Sequence, residues 1–416
     1  LQLLVKIRPP EPYEYRGGVV TELVPTAKPK TVTFLLPGSG GVPTGGYKVV
    51  YEYANGLAER GWRVRVVHPR ILFTEEIAAM NGSLFLKARH WIGLQRHIWS
   101  RDYRPDRWFD LHPKVEALYT MTPDIRYLPP SDIWVATWWY TAKWAATYPG
   151  TRLYLIQHLE TWCGPEADVM ATWKLPLRKV VISRWLEDVA RNLDEPSDYI
   201  PNGLNFKAYG MDITPQERDP SSVAMLFHTS DWKGSREGLE ALRIAKQSVP
   251  TLKANIFGVC APPPDLPSWV HYHQNSPQSE IRRIYNEAAV FLSPSWAEGW
   301  ALPPAEAMQC GAALAITDIG GHEYAHHGET ALLSPAKNAG ALAANILELI
   351  NNNELRVRLA NNGHSYIQQF TWDRAVKSFE GAMEAELARK NHEGPRILAN
   401  ADRMTKPQET STERIG

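Results

Sequence analysis

Two glutamates, Glu298 and Glu306, stand eight positions apart in the segment SPSWAEGWALPPAEAMQCG (293–311). Pro303 and Pro304 suit the first turn of a helix, where a missing N–H costs nothing. Glu298 then belongs to the loop before that helix, beside Gly299, and Glu306 lies about one turn inside it. Backbone N–H groups near Trp300, Ala301 and Leu302 would point out of the helix start toward a bound anion. Carboxylates beside an anion repel it, so they make sense as grips for neutral hydroxyls. One carboxylate can accept hydrogen bonds from two vicinal hydroxyls, as ribose and hexoses present them. The competing reading is structural: a loop glutamate, and a second one favoured by the dipole at a helix start.

Two other stretches invite chemistry. The loop PGSGGVPTGGYK (37–48) carries many glycines but fits neither familiar phosphate-binding pattern. A dinucleotide fingerprint from Gly38 and Gly40 would need glycine where Pro43 stands, and a P-loop ending at Gly46 would need lysine where Tyr47 stands. What survives is the pair Gly45 and Gly46 before a helix, where backbone can approach a ligand closely, or simply a tight turn. HEYAH (322–326) matches the pattern of zinc peptidases, which need both histidines on one helical face. Gly320, Gly321 and Gly328 hem that segment in, so a long enough helix is not expected and the match reads as coincidence.

The elements that would position these residues alternate. TVTFLL (31–36) reads as a buried strand running into the glycine loop. In the following helix Val50, Tyr53, Ala54, Leu57 and Ala58 form one apolar face, and Gly61 terminates it. Strands are expected near 64–67, 132–137, 152–157 and 179–183, with helical stretches between. Residues 210–222 are polar and proline-containing and read as a linker. A second series then begins: strands at 223–227, 254–258, 289–293 and 312–317, with helices at 235–248, 278–288, 303–310 and 339–350. Two βα-alternating halves predict two doubly wound parallel sheets facing a cleft, with the site on the loops after the strands.

With 416 residues the chain is long enough for two domains of roughly 100–200 residues each. Apolar residues make up 44% and charged residues 22%, which excludes a disordered or fibrous chain. Lys+Arg and Asp+Glu are both 45, so nothing attracts nucleic acid in general and an anion site must be a local pocket. No apolar run approaches the ~20 residues of a membrane span. Three scattered cysteines, Cys163, Cys260 and Cys310, suggest reduced thiols rather than a disulfide framework. The sequence LQLLVKIRPPEPYEY lacks the apolar core and cleavage site of a secretory signal. The expected location is cytoplasmic, at the inner face of a membrane if any.

The Glu-x7-Glu spacing, taken with its surroundings, resembles the signature of retaining nucleotide-sugar glycosyltransferases of the GT-B fold, especially family 4. The resemblance covers most of residues 31–375. It runs through GGYKVVYEYANGLAERGW (45–62), QHLETW (157–162), VVISRWLEDVAR (180–191), IPNGLNFKAY (200–209), DWKGSREGLEALRIA (231–245) and HGETALLSP (327–335). It implies two Rossmann-like domains, 1–210 for the acceptor and 211–372 for the nucleotide-sugar. A last helix, about 373–388, crosses back to the first domain, and 389–416 is a polar tail. By the same resemblance Lys233 matches the lysine that binds the donor diphosphate, and Glu306 the carboxylate that binds ribose. Glu298 matches the one that contacts the transferred sugar, and His158 a histidine lining the donor-sugar side. Lys233, Glu298 and His158 are thus the catalytic candidates. Gly45 and Gly46 match the loop near the diphosphate or acceptor, and Gln274 lies in the segment whose backbone reads the base. His228 stands where the family usually has arginine, and a neutral histidine is a poor phosphate cation.

The chain has no Asp-x-Asp, so a metal-free reaction without cofactor is expected, Lys233 and the helix start near Gly299 offsetting charge on the leaving diphosphate. The family retains anomeric configuration. Overall likeness, strongest in the first half, is to bacterial polyrhamnan and S-layer glycan rhamnosyltransferases. It implies a dTDP-β-L-rhamnose donor and a growing lipid-linked rhamnan acceptor. Trp134, Trp138, Trp139 and Trp144 either line an acceptor groove or pack a core. Residues 87–107, rich in Arg and Lys with Trp91 and Trp99, are either a solvated helix face or a peripheral contact with an anionic membrane. A homodimer is left open. The rival function is a non-catalytic glycan-binding protein on a degenerate transferase scaffold.

Overall fold

A computed structural model describes residues 29–393. The amino-terminal stretch in which a secretory signal was sought and the tail beyond 393 lie outside the described residues.

The first lobe runs β1 (Thr31–Leu35), α1 (Gly45–Glu59), β2 (Arg63–Pro69), α2 (Thr74–Asn81), α3 (Leu84–Ser100), β3 (Glu116–Thr120) and β4 (Ile133–Ala136). It continues with α4 (Trp139–Ala146), β5 (Thr151–Ile156), α5 (Glu166–Trp173), β6 (Arg178–Val181), α6 (Arg184–Asn192) and β7 (Ser197–Tyr199). Its seven strands are parallel in the order β3-β2-β1-β4-β5-β6-β7. β1 and β4 are buried at every position, as strands covered on both faces must be. The apolar face of α1 is buried as its spacing demands, and Gly61, at φ +90°, ends the helix where a side chain would be strained. Trp134 and Trp139 are core residues, Trp134 packing edge-on against Tyr148 at 4.9 Å, so neither lines an acceptor groove.

The second lobe comprises β8 (Ser222–Leu226), α7 (Ser235–Ser248), β9 (Lys253–Gly258), β10 (Val270–Gln274), α8 (Gln278–Glu287), β11 (Val290–Ser293), α9 (Leu302–Gln309), β12 (Ala313–Thr317) and β13 (Leu332–Ser334). Helices α10 (Ala339–Asn351) and α11 (Asn353–Ile367) follow. The six strands, again parallel, run β10-β9-β8-β11-β12-β13. Both sheets therefore reverse winding direction once, between β1 and β4 and between β8 and β11. These are two Rossmann-like doubly wound sheets, as the alternation of elements predicts.

Residues 210–222, read as a linker, are a stapled strap. Arg218 is buried and donates to the carbonyls of Ile213, Tyr285, Ala288 and Cys310, while Asp212 pairs with Arg282 at 2.5 Å. The final helix, α12 (Trp372–Glu393), extends past the boundary drawn at 388, so residues 389–393 are helical rather than tail. It packs on α1: Phe379 sits 4.7 Å from Tyr53, and a Cβ at Gly56 would come within 2.6 Å of Val376. Among the described residues no helix is long and apolar enough to cross a membrane.

Candidate active site

Side chains at the carboxyl ends of strands, where a doubly wound sheet changes direction, converge on a crevice. Here the loops concerned follow β1 (the glycine loop), β5 (Gln157, His158), β8 (His228 to Gly234) and β11 (Pro294 to Ala301).

Lys233 and Glu298 form the centre. Lys233 Nζ donates to both carboxylate oxygens, at 2.7 and 2.9 Å, and Ser295 Oγ donates to one of them at 2.8 Å. Burial would raise the Glu298 pKa; Lys233 and the Ser295 hydroxyl overcome it and hold the carboxyl below its ordinary range. The pair meets because Gly234, at φ +61°, takes a left-handed turn against Pro294, whose carbonyl oxygen lies 2.0 Å from where a Cβ would be. His228 stands beside them. Its Nδ1 accepts from Ser230 N–H at 3.0 Å, and burial, then the neighbouring Lys233, lower its pKa, which favours the neutral ring.

Glu306, buried in α9, accepts from Lys48 Nζ at 2.6 Å and from Tyr285 OH at 3.2 Å. Lys48 belongs to the first turn of α1, two positions after Gly46, so this ion pair joins the lobes. A lysine there opposes the helix dipole, and the offset comes from the facing carboxylate. Next to it Glu52 is pushed up to about 7, mainly by burial.

The start of α9 differs from its expected openness. Ala301 N–H is not free: it donates to Gly321 O at 3.0 Å. Trp300 and Ala301 are both buried, and Trp300 Nε1 donates to Glu323 at 3.1 Å. With Pro303 and Pro304 lacking N–H groups, Leu302 and Trp300 are what remain of the three N–H groups expected to face an anion. Gly299 has another use. A Cβ there would come within 1.8 Å of the Gln157 carbonyl oxygen, so glycine lets the first lobe press against the loop that carries Glu298.

His158 lies in the same cluster. Leu159 N–H donates to its Nδ1 at 2.8 Å, which leaves the ring proton on Nε2. The Ala297 backbone approaches the ring, yet Nε2 is buried without a well-formed hydrogen bond, as is Gln157 Oε1. Burial takes the His158 pKa down to about 4. Trp162, 4.2 Å from the His158 ring, stacks on Trp232 of the second lobe at 5.2 Å. Gly46 lies near Gln157, its Cβ position 3.4 Å from Oε1, and Gly45 faces open space. Gln274 is exposed at the end of the edge strand β10, where its backbone pairs with Gly258 and its side-chain amide donates to Val259 O at 3.5 Å; its side chain meets none of the other candidates.

The HEYAH segment is a short 3-10 turn and loop, not a helix. His322 Nδ1 bonds Thr317 O at 2.8 Å, and His326 packs on Tyr366. Glu323 accepts from Arg184 N–H at 2.8 Å and Tyr199 OH at 2.6 Å, clasping the first lobe. The three side chains thus serve separate structural ends. Among the described residues no three His, Cys, Asp or Glu converge to hold a metal ion.

Lys48, Gln157, Tyr285 and Ser295 escaped the sequence reading. Lys48 had a signal, since a cation in a first helical turn lacks a local reason; the others had none, because only folding brings them together.

Residues 224–366 match the model of the family described as glycosyl transferases group 1. The match lies within the second lobe. An uncharacterized glycosyltransferase of Methanocaldococcus jannaschii is 35% identical over 98 residues, 23% of this chain and 28% of that protein. The O-antigen chain mannosyltransferase B of Escherichia coli is 27% identical over 105 residues, 25% of this chain and 27% of that protein. The chain therefore spans under a third of the length of these relatives. Fold similarity reaches further than sequence. A sucrose-phosphate synthase from Thermosynechococcus elongatus superposes with a TM-score of 0.66 at 16% identity, covering 87% of this chain and all of that one. Anabaena Alr3699/HepE, solved with UDP and glucose, gives 0.63 at 15% identity, over 86% of this chain and all of that one. The two lobes together have the GT-B fold.

Proposed function

We propose that the chain is a glycosyltransferase that moves a sugar from a nucleoside diphosphate to a hydroxyl of a growing glycan. The observation that carries this is the Lys233–Glu298 pair, at the direction-switch of the second sheet and beside His158 of the first lobe. Both part-buried ion pairs of the crevice then act as placeholders. The donor diphosphate draws Lys233 away from Glu298, and sugar hydroxyls replace the ammonium on that carboxylate. The ribose hydroxyls likewise replace Lys48 on Glu306. The His158 Nε2–H donates to a sugar hydroxyl or to the reacting oxygen.

When the bond from C1 to the phosphate oxygen breaks, its electron pair leaves with the diphosphate, and Lys233 offsets the charge that develops there. The acceptor oxygen bonds to C1 from the face the phosphate leaves, giving retention as in family 4, and its proton passes to the departing phosphate. No metal ion takes part in this route.

For the sugar we propose L-rhamnose, carried as dTDP-β-L-rhamnose, and for the acceptor a lipid-linked rhamnan. The likeness to polyrhamnan transferases supports it, and so does the wall of Trp162, Trp232 and Trp185 around His158, since a 6-deoxy sugar presents a methyl group to such a wall. Calorimetry with a panel of nucleotide-sugars, with and without a chelator, tests the proposal. It predicts preferential, chelator-insensitive binding and slow hydrolysis of the rhamnose donor. A chain that binds glycans and no nucleotide-sugar would be the glycan-binding rival; a chain that prefers another donor would retain the transferase reading and lose rhamnose.

A further inference from the structure

Helix α3 packs the wrong way round for a helix facing water. Leu86, His90, Gly93, Leu94 and His97 are half-buried against the lobe, and no residue of α3 is fully buried. The opposite side exposes Leu84, Phe85, Trp91, Ile92, Ile98 and Trp99, the last at 89%. At about 100° per residue these six fall within one sector of about 140°, which also holds Ala88 and a single polar residue, Gln95. Single exposed apolar residues need no explanation, but a contiguous set does.

Charge says what covers it. Lys87 borders one edge of the sector, and Arg89 and Arg96 border the other. No acidic residue occurs from 84 to 100, although the whole chain is neutral. In the loop that follows, Asp102 is engaged by His97 at 2.5 Å and Asp106 by Arg104 at 2.8 Å. A second copy of the chain placed face to face on α3 would bring basic edges together with no acidic partner on the helix itself; of the α2 carboxylates beside it, Glu75 accepts from Tyr140 OH and Glu76 lies near His90 on the lobe-facing side. An anionic lipid surface satisfies both features, because apolar side chains enter the acyl boundary while Lys and Arg meet headgroup phosphates.

We infer that α3 is a membrane-docking helix, lying in the headgroup region of a bilayer rich in anionic lipid with its Trp91–Trp99 face inward. It sits against the edge strand β3, His97 packing on Tyr119 at 5.4 Å. The loop after it reaches the crevice: Gly40 N–H donates to Tyr103 O, and Trp108 Nε1 donates to Gly40 O, both at 2.8 Å. Docking would therefore place the first lobe's glycine loop close to the bilayer. This inference rests on α3 alone and stands whether or not the transferase reading does.

Sedimentation of the full chain with vesicles tests it. Binding to mixed phosphatidylglycerol–phosphatidylcholine vesicles should exceed binding to phosphatidylcholine alone by roughly tenfold or more, and should weaken with salt. Trp91→Asp with Trp99→Asp should cost at least about tenfold on the anionic vesicles. Arg89→Glu with Arg96→Glu should abolish the preference for them, and both variants should melt like the wild type because their side chains are exposed. The inference is overturned if the wild type ignores anionic vesicles or if the tryptophan variant still binds them. It is equally overturned if light scattering shows a lipid-free dimer that the tryptophan variant breaks.

Discussion

Replacing Lys233 by methionine separates the two things this residue does. The ammonium lies 2.7 and 2.9 Å from the oxygens of Glu298, whose side chain is 13% exposed while that of Lys233 is 25% exposed. At an effective dielectric of about 20, the direct attraction at that distance is ~6 kcal/mol. Removing one partner of a buried pair costs roughly 3–5 kcal/mol net, and partial exposure argues for the lower end. A loss of about 3 kcal/mol should lower Tm by about 6–12 °C in a lobe of this size. The sign with pH follows from Glu298. Its pKa is depressed in the fold, so its contribution is present above the unfolded carboxylate value and is lost on acidification. The Tm gap between wild type and Lys233→Met should therefore narrow only as pH falls below about 4.5 and on through the depressed Glu298 value. Adding Glu298→Gln removes the orphaned charge and should restore most of the stability at neutral pH. Activity should behave differently: kcat falls by about 10²–10³ in the single variant and is not recovered in the double, since the cation at the leaving group is still missing. Thermal melts across pH, with nucleotide release measured in parallel, read both. A double variant no more stable than the single would refute the ion-pair reasoning, and a kcat within about threefold of wild type would refute the catalytic one.

Three further outcomes are expected. Glu306→Gln should weaken donor binding by about tenfold or more while leaving the preference among sugars unchanged; unaltered calorimetric affinity would remove Glu306 from the ribose site. Gly299→Ala should lower both Tm and kcat/KM, because its methyl would overlap the Gln157 carbonyl and force the lobes apart at a cost of about 1–3 kcal/mol; wild-type melting would show that the lobes do not press together there. Glu160 is buried, accepts from Trp139 N–H at 2.8 Å and has its pKa pushed up to about 8 by burial. The fold keeps a proton that the unfolded chain loses near the ordinary value, so wild-type stability should decline as pH rises from about 4.5 to about 8. Glu160→Gln should be the more stable protein at the upper end of that window and equal to wild type at the lower, as urea melts would show; the reverse order contradicts this account.

Much of the architecture was legible before folding. Buried parallel strands are short apolar runs, and the helix faces between them repeat with the period of 3.6, so both lobes and their doubly wound character follow from local pattern. The boundaries of α7, α8 and α10 were read to within a residue or so. Helices α2 and α3 and the edge strands β3 and β10 were not delimited. Edge strands carry half-polar sequences, and α3 turns its apolar residues outward, so the inward stripe that marks an ordinary helix is missing. Trp134 and Trp139 were ambiguous because tryptophan serves cores and sugar sites alike.

The residue types around Glu298, Glu306 and Lys233 were set by the sequence itself, and a carboxylate-and-lysine site at strand ends could be named from them. Only the tertiary structure decided which charge meets which. Lys48 lies 258 positions from Glu306, and His158 lies 75 positions from Lys233, so their encounters depend on two lobes closing on each other. It also decided that Ala301 N–H is spent on Gly321 and that Gly299 is glycine to admit a carbonyl of the facing lobe. Local sequence encodes periodicity and turn chemistry because these act between near neighbours. Ion pairing, burial and lobe contact act across space, and appear only once the chain has brought distant groups within a few ångströms.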